Sequence, residues 1–80
     1  MGATISRDRV WNAVIEALVE ADGQPIQKRH VREFVNEPVQ DRTINRTMNA
    51  MEELEWLERT TDRGHKWFPG PKAIRYLSAL

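Results

Sequence analysis

Arg42, Asn45, Arg46 and Asn49 fall at i, i+3, i+4 and i+7, so a helix over this stretch carries all four on one face. Each ends in a guanidinium or an amide, groups that donate hydrogen bonds to phosphate oxygens or base edges. Glu52, Glu53 and Glu55 are confined to the far end. A helix that presents its N-terminal half to a polyanion is charged in this way, because carboxylates facing phosphates repel. A solvated helix face is the plain alternative. Downstream, Arg59, Arg63, His65 and Lys66 gather around the turn signal Asp62-Arg63-Gly64.

Other chemistry finds little to stand on. His30 and His65 are far apart, and with no cysteine they match no usual metal-ligand spacing. There is no glycine-rich phosphate loop and no nucleophile motif, and Ser6 and Ser78 read as a cap and a surface residue. An enzyme is therefore not expected, nor is a cofactor, a metal or a small-molecule effector.

The elements that must position the basic residues can be read from spacing. A first helix is expected over 6–21, capped by Ser6 or Thr4, with Asp8 in its first turn. Its apolar stripe is Val10, Trp11, Val14, Leu18 and Ala21, widened by Ile15 and Val19, and Trp11 is read as core. Gly23 suits a left-handed helix end. Gln24-Pro25-Ile26 is extended and long enough for one short strand. A second helix covers about 27–36, burying Val31, Phe34 and Val35, and Asn36-Glu37-Pro38 closes it. The third opens at Gln40 or Asp41 and buries Ile44, Met48, Met51 and Leu54, with Thr47 beside them. Strands over 56–61 and 65–68 form a hairpin that Pro69 stops, its base pinned by Trp56, Leu57, Trp67 and Phe68. Pro71 then opens a last helix whose apolar side is Ala73, Ile74, Leu77 and Leu80, with Lys72 and Arg75 facing out.

Eighty residues, 40% hydrophobic and 30% charged, make a single small domain, 1–80, with a modest core. Residues 1–5 are expected to form a flexible N-terminus and 71–80 the C-terminal helix. MGATISRDRVWN lacks the apolar run of a signal peptide, and no segment approaches the roughly 20 apolar residues that a bilayer requires. A cytoplasmic protein is the default expectation, with no membrane partner. Formal net charge is zero, which weighs against a nucleic-acid binder. The charge is sorted along the chain, however. Residues 24–49 carry five basic and three acidic side chains, 50–58 carry none and four, and 59–80 carry five and one.

Helix, short strand, helix, turn, helix, ribbon is the element order of a winged helix-turn-helix domain. Thr43-Ile44-Asn45-Arg46, then Met48, Met51-Glu52-Glu53-Leu54 and Trp56-Leu57-Glu58, resemble the recognition helix and wing start of prokaryotic transcription regulators of that superfamily. Gly64-His65-Lys66-Trp67-Phe68-Pro69-Gly70-Pro71 looks similar to the wing of small archaeal members. The resemblance spans roughly residues 6–70 and implies a mainly α fold with a small β-wing: a three-helix core, a two-stranded antiparallel hairpin and a short C-terminal helix. Two positions depart from the pattern. Many relatives have glycine where this chain has Glu55, so the third helix is expected to end by another route. The turn Glu37-Pro38-Val39 also lacks the glycine of the tightest helix-turn-helix motifs.

The function implied is a transcription regulator on double-stranded DNA, with helix 41–54 in the major groove and wing 57–68 on the backbone or minor groove. The recognition positions are Gln40, Arg42, Thr43, Asn45, Arg46 and Asn49. Arg42 or Arg46 suits guanine, and Asn45 or Asn49 suits adenine. Lys28, Arg29, Arg59, Arg63 and Lys66 are expected to hold phosphates and set register. A homodimer through the last helix is a candidate assembly, against the alternative that Ile74 and Leu77 cover the domain's own core. The competing function is a protein-interaction adaptor on the same fold, which zero net charge and the acidic block Glu52–Glu58 favour. Glu33 or Glu37 among the basic residues would strengthen it.

Overall fold

The computed structural model describes residues 2–61 and 64–80, with residues 2–7 described by backbone alone. Among the described residues, four helices and two short strands follow one another: α1 Gly2–Ala21, α2 Lys28–Phe34, α3 Asp41–Glu53, β1 Leu57–Glu58, β2 Phe68–Pro69 and α4 Pro71–Ser78. The chain is mainly helical with one small antiparallel sheet.

Helix α1 is the platform. It starts at Gly2, so residues 2–5 are helical and neither Thr4 nor Ser6 is a cap; Asp8 lies beyond the first turn. The core face is Val10, Ala13, Val14, Ala17 and Leu18, all 2% exposed or less. The two alanines, not anticipated in the stripe, have side chains small enough to let α2 and α3 approach the helix backbone. Trp11 and Ile15 are displaced to the flank, partly buried, and Val19 is 49% exposed. Asp22 and Gly23, at φ of 49° and 90°, end the helix with left-handed backbone.

The chain then crosses to the sheet. Ile26 forms an isolated antiparallel bridge with Trp67, each N–H donating to the other's carbonyl at 2.8 Å. Helix α2 follows, and its Gln27 N–H donates to His30 Nδ1 at 2.9 Å, half of a capping-box arrangement. Val31 is fully buried and Val35 nearly so, with Phe34 packed at the edge. In place of a glycine turn, Arg32 bridges α2 to α3. Its Nη1 donates to the Val39 carbonyl at 2.8 Å and its Nη2 pairs with Asp41.

Helix α3 lays Ile44, Thr47, Met48 and Met51 into the core. Each large apolar side chain so buried contributes on the order of 1.5–3 kcal/mol. Leu54, expected on that face, is instead the C-cap and 49% exposed. The chain turns there, because Glu55 adopts φ 67°. Trp56 N–H donates to Met51 O at 2.8 Å and Glu55 N–H to Glu52 O at 3.1 Å, the paired bonds of a left-handed helix stop. Glu55 thus takes the conformation that glycine normally fills, and no other route is used.

The left-handed turn also docks the end of the sheet. Glu55 O accepts from the Lys72 N–H at 3.0 Å, and Trp56 O from the Gly70 N–H at 2.9 Å. A Cβ at Gly70 would lie 2.7 Å from the Glu55 carbonyl carbon, so only glycine permits this approach. Strands β1 and β2 pair with Leu57 opposite Pro69 and Glu58 opposite Phe68. They are two residues each, shorter than expected, and Pro69 belongs to β2 instead of stopping it. Trp67, the residue before β2, makes the isolated bridge to Ile26 beside this two-stranded sheet.

Candidate nucleic-acid interface

At 100° per residue, the direction opposite the buried face of α3 is occupied by Arg42, Arg46, Asn49 and Glu53. All four are exposed. Asn45 and Thr43 sit on the two flanks, each half-buried, and Gln40 is the exposed N-cap. Of the six positions proposed for base contact, Arg42, Arg46 and Asn49 form the outward ridge, with Asn45, Thr43 and Gln40 around it.

Three carboxylates of α3 and the turn before it are held by other arginines, whereas Glu53, on the outward face itself, makes no ion pair among the described residues. Asp41 pairs with Arg32, Glu37 with Arg9 at 2.7 Å, and Glu52 with Arg59 at 2.8 Å. Glu33 lines a groove between α1 and α2 with Glu20 and His30, and the lining contains no residue of α3. Among the described residues, Arg42 and Arg46 make no ion pair, and Lys28, Arg29 and Lys66 make none either. Lys28 is half-buried and Arg29 exposed in the first turn of α2. Lys66 and His65 are exposed before β2. Asp62 and Arg63, the expected hairpin tip, lie outside the described residues.

Arg59 corrects the sequence reading. Expected to meet phosphate, its side chain is only 14% exposed and turned onto the protein. Its Nε donates to Glu52 Oε2 at 3.1 Å and its Nη2 to Oε1 at 2.8 Å, a two-point clamp. The guanidinium carbon lies 4.0 Å from the Trp67 ring centroid, a cation–π distance. Nη2 also approaches Asn49 Oδ1 at 3.4 Å. The clamp joins α3 to the hairpin and fixes one against the other. The Asn49 carbonyl is engaged by it, which leaves the amide NH2 for donation outward.

The unmatched acidic residues sit at the other end. Glu53, Glu55 and Glu58 are exposed, next to the exposed Leu54. Along the helix axis Glu53 lies about 16 Å from Arg42 but only about 10 Å from Arg46. The first distance exceeds the roughly 8–10 Å screening length near physiological salt and the second about equals it. Arg42 is therefore largely screened from Glu53, and Arg46 less so.

Compared with known protein families, curated proteins and solved structures, the chain matches none. Among the described residues, no helix is long and apolar enough to cross a membrane, and no three His, Asp or Glu side chains gather as metal ligands.

Proposed function

We propose that the chain is a DNA-binding regulator of winged helix-turn-helix type, with α3 as the helix that enters the major groove. The observation that carries this reading is the outward ridge Arg42–Arg46–Asn49, beside which Glu37, Asp41 and Glu52 are paired with Arg9, Arg32 and Arg59, and only Glu53, at its far end, makes no ion pair among the described residues. Its arginines make no ion pair among the described residues and can meet phosphate or a guanine edge without first breaking one. The fold supports the same reading. Ile26 pairs beside β2, which pairs with β1, the strand arrangement expected between and after the helices of a winged helix. Lys28, Arg29 and Lys66 supply further phosphate contacts, while Arg59 holds the wing at a set angle to α3.

Affinity for duplex DNA as a function of salt tests the reading. Each neutralised phosphate contributes about −0.9 to the slope of log affinity against log salt. Contacts from Arg42, Arg46, Lys28, Arg29 and Lys66 give a slope of about −4.5. Arg42→Ala with Arg46→Ala makes the slope shallower by about 2 and weakens binding. Absence of binding to mixed genomic fragments at about 50 mM salt would overturn the proposal.

A protein-interaction adaptor is the second reading. It is favoured by exposed Leu54 set among Glu53, Glu55 and Glu58, an apolar residue ringed by acid that suits a basic protein surface better than DNA. That reading gains if DNA is not bound.

A further inference from the structure

The three residues of the outward ridge differ in what they can offer a partner. A guanidinium only donates hydrogen bonds, so Arg42 and Arg46 present donors in any orientation. An amide has two donors on its nitrogen and an acceptor on its oxygen, and rotation about its last bond exchanges them. In Asn49 that exchange is opposed from within the fold. Its Oδ1 lies 3.4 Å from Arg59 Nη2, which also donates to Glu52 Oε1 at 2.8 Å, while Nε donates to Glu52 Oε2 at 3.1 Å. Nη2 carries two N–H groups, one for each of these oxygens. The guanidinium rests on the Trp67 ring and its side chain is only 14% exposed, so the clamp fixes its position. Turning the amide over would set its NH2 against a donor that carries positive charge. The contact at 3.4 Å is long, but the reverse orientation is repulsive, and the difference between the two orients the amide. Asn49 is exposed, and its NH2 is the half left to face outward.

We infer that Asn49 reads guanine and not adenine, and that α3 selects a short guanine-rich stretch of duplex. The two-point contact with adenine needs the amide oxygen to accept from N6 while the nitrogen donates to N7. With Oδ1 turned toward the hairpin, only the donating half meets a base edge. Guanine presents two acceptors in the major groove, O6 and N7. Adenine sets its N6 donor beside N7, cytosine presents the N4 donor, and thymine has one acceptor with a methyl group next to it. Two guanidiniums and one outward NH2 offer donors throughout, and guanine is the edge that accepts throughout. Arg42 and Asn49 are about 10 Å apart along the helix axis, which is about three base-pair steps. Asn45, which the clamp does not touch, keeps both halves of its amide and remains suited to adenine. Arg59 is thus a positioning residue: without meeting DNA, it sets which half of Asn49 does. The inference rests on the proposed function and adds to it the base chemistry of the site.

Selection from a pool of duplexes randomised at their centre, sequenced before and after binding at about 50 mM salt, tests it on three chains. The wild type should enrich a guanine-rich site. Asn49→Ala should erase the preference at one position. In the wild type that position should favour guanine over adenine about fivefold, the scale of one net hydrogen bond. Arg59→Met keeps an apolar stem over Trp67 and removes the guanidinium, which frees the amide to turn. It should move the same position toward adenine about fivefold and leave the others as they were. A merely structural role would weaken all sequences alike. If circular dichroism shows Arg59→Met unfolded, Asn49→Ala still decides which base the amide reads. Adenine at the Asn49 position of the wild type overturns the inference while leaving DNA binding intact. So does an Asn49→Ala chain that loses no position, as it would if the amide met phosphate, or a folded Arg59→Met chain with unchanged preferences. A wild type that binds no duplex at all overturns the proposed function, and this inference with it.

Discussion

Replacing Arg59 with alanine separates a residue that holds the fold from one that holds DNA. The clamp comprises two charge-assisted hydrogen bonds to Glu52 and a face-on contact with Trp67. Hydrogen bonds to charged groups contribute roughly 1.5–3 kcal/mol when buried. Glu52 is 30% exposed and can be hydrated once its partner is gone, so about 1–2 kcal/mol is the appropriate scale for the pair here. The cation–π contact adds about 0.5–1 kcal/mol. A loss of about 1.5–3 kcal/mol follows, a large part of the roughly 4–12 kcal/mol expected for a domain of this size. It corresponds to a fall in melting temperature on the order of 10–20 °C. Urea unfolding followed by tryptophan fluorescence measures it, because Trp67 lies under the guanidinium. A cycle with Glu52→Ala should show a coupling of at least about 1 kcal/mol. If Arg59→Ala changes stability by less than about 0.5 kcal/mol while making the salt slope of DNA binding shallower by about 0.9, Arg59 is a phosphate contact and the clamp argument is wrong.

The helix stop offers two opposite predictions. Glu55 pays a left-handed penalty of roughly 1 kcal/mol, so Glu55→Gly should raise the urea midpoint by an amount equivalent to about 0.5–1 kcal/mol. Gly70→Ala should do the reverse, since its methyl would meet the Glu55 carbonyl and push α4 off the α3–β1 turn. A loss of about 2 kcal/mol or more is expected by thermal unfolding, on the scale of strained overpacking. Met48→Ala empties the fully buried centre of the α3 face and should cost about 2–5 kcal/mol, read by the same melt.

Much of this protein is legible one residue at a time. Helical spacing at Ile44, Met48 and Met51 buries one side of α3 and leaves Arg42, Arg46 and Asn49 opposite it, because both sets follow the same 3.6-residue period. Pro71 at the first position of α4 and left-handed Gly23 after α1 are likewise local chemistry, set by a fixed φ and a missing Cβ.

The fate of Arg59 is different. Nothing within its own segment distinguishes it from Lys66, which stays exposed. Its partners Glu52 and Trp67 come together only after Glu55 turns left-handed and Gly70 lets β2 and α4 close onto that turn. The two-residue strands, the bridge from Trp67 to Ile26 and the exposure of Leu54 are likewise features of the assembled fold. Sequence by itself determined which residues could form a basic ridge, since that depends on spacing along one helix. Tertiary structure decided which cations remain exposed and which are consumed inside the fold, because ion pairs depend on distances between elements that no period along the chain encodes.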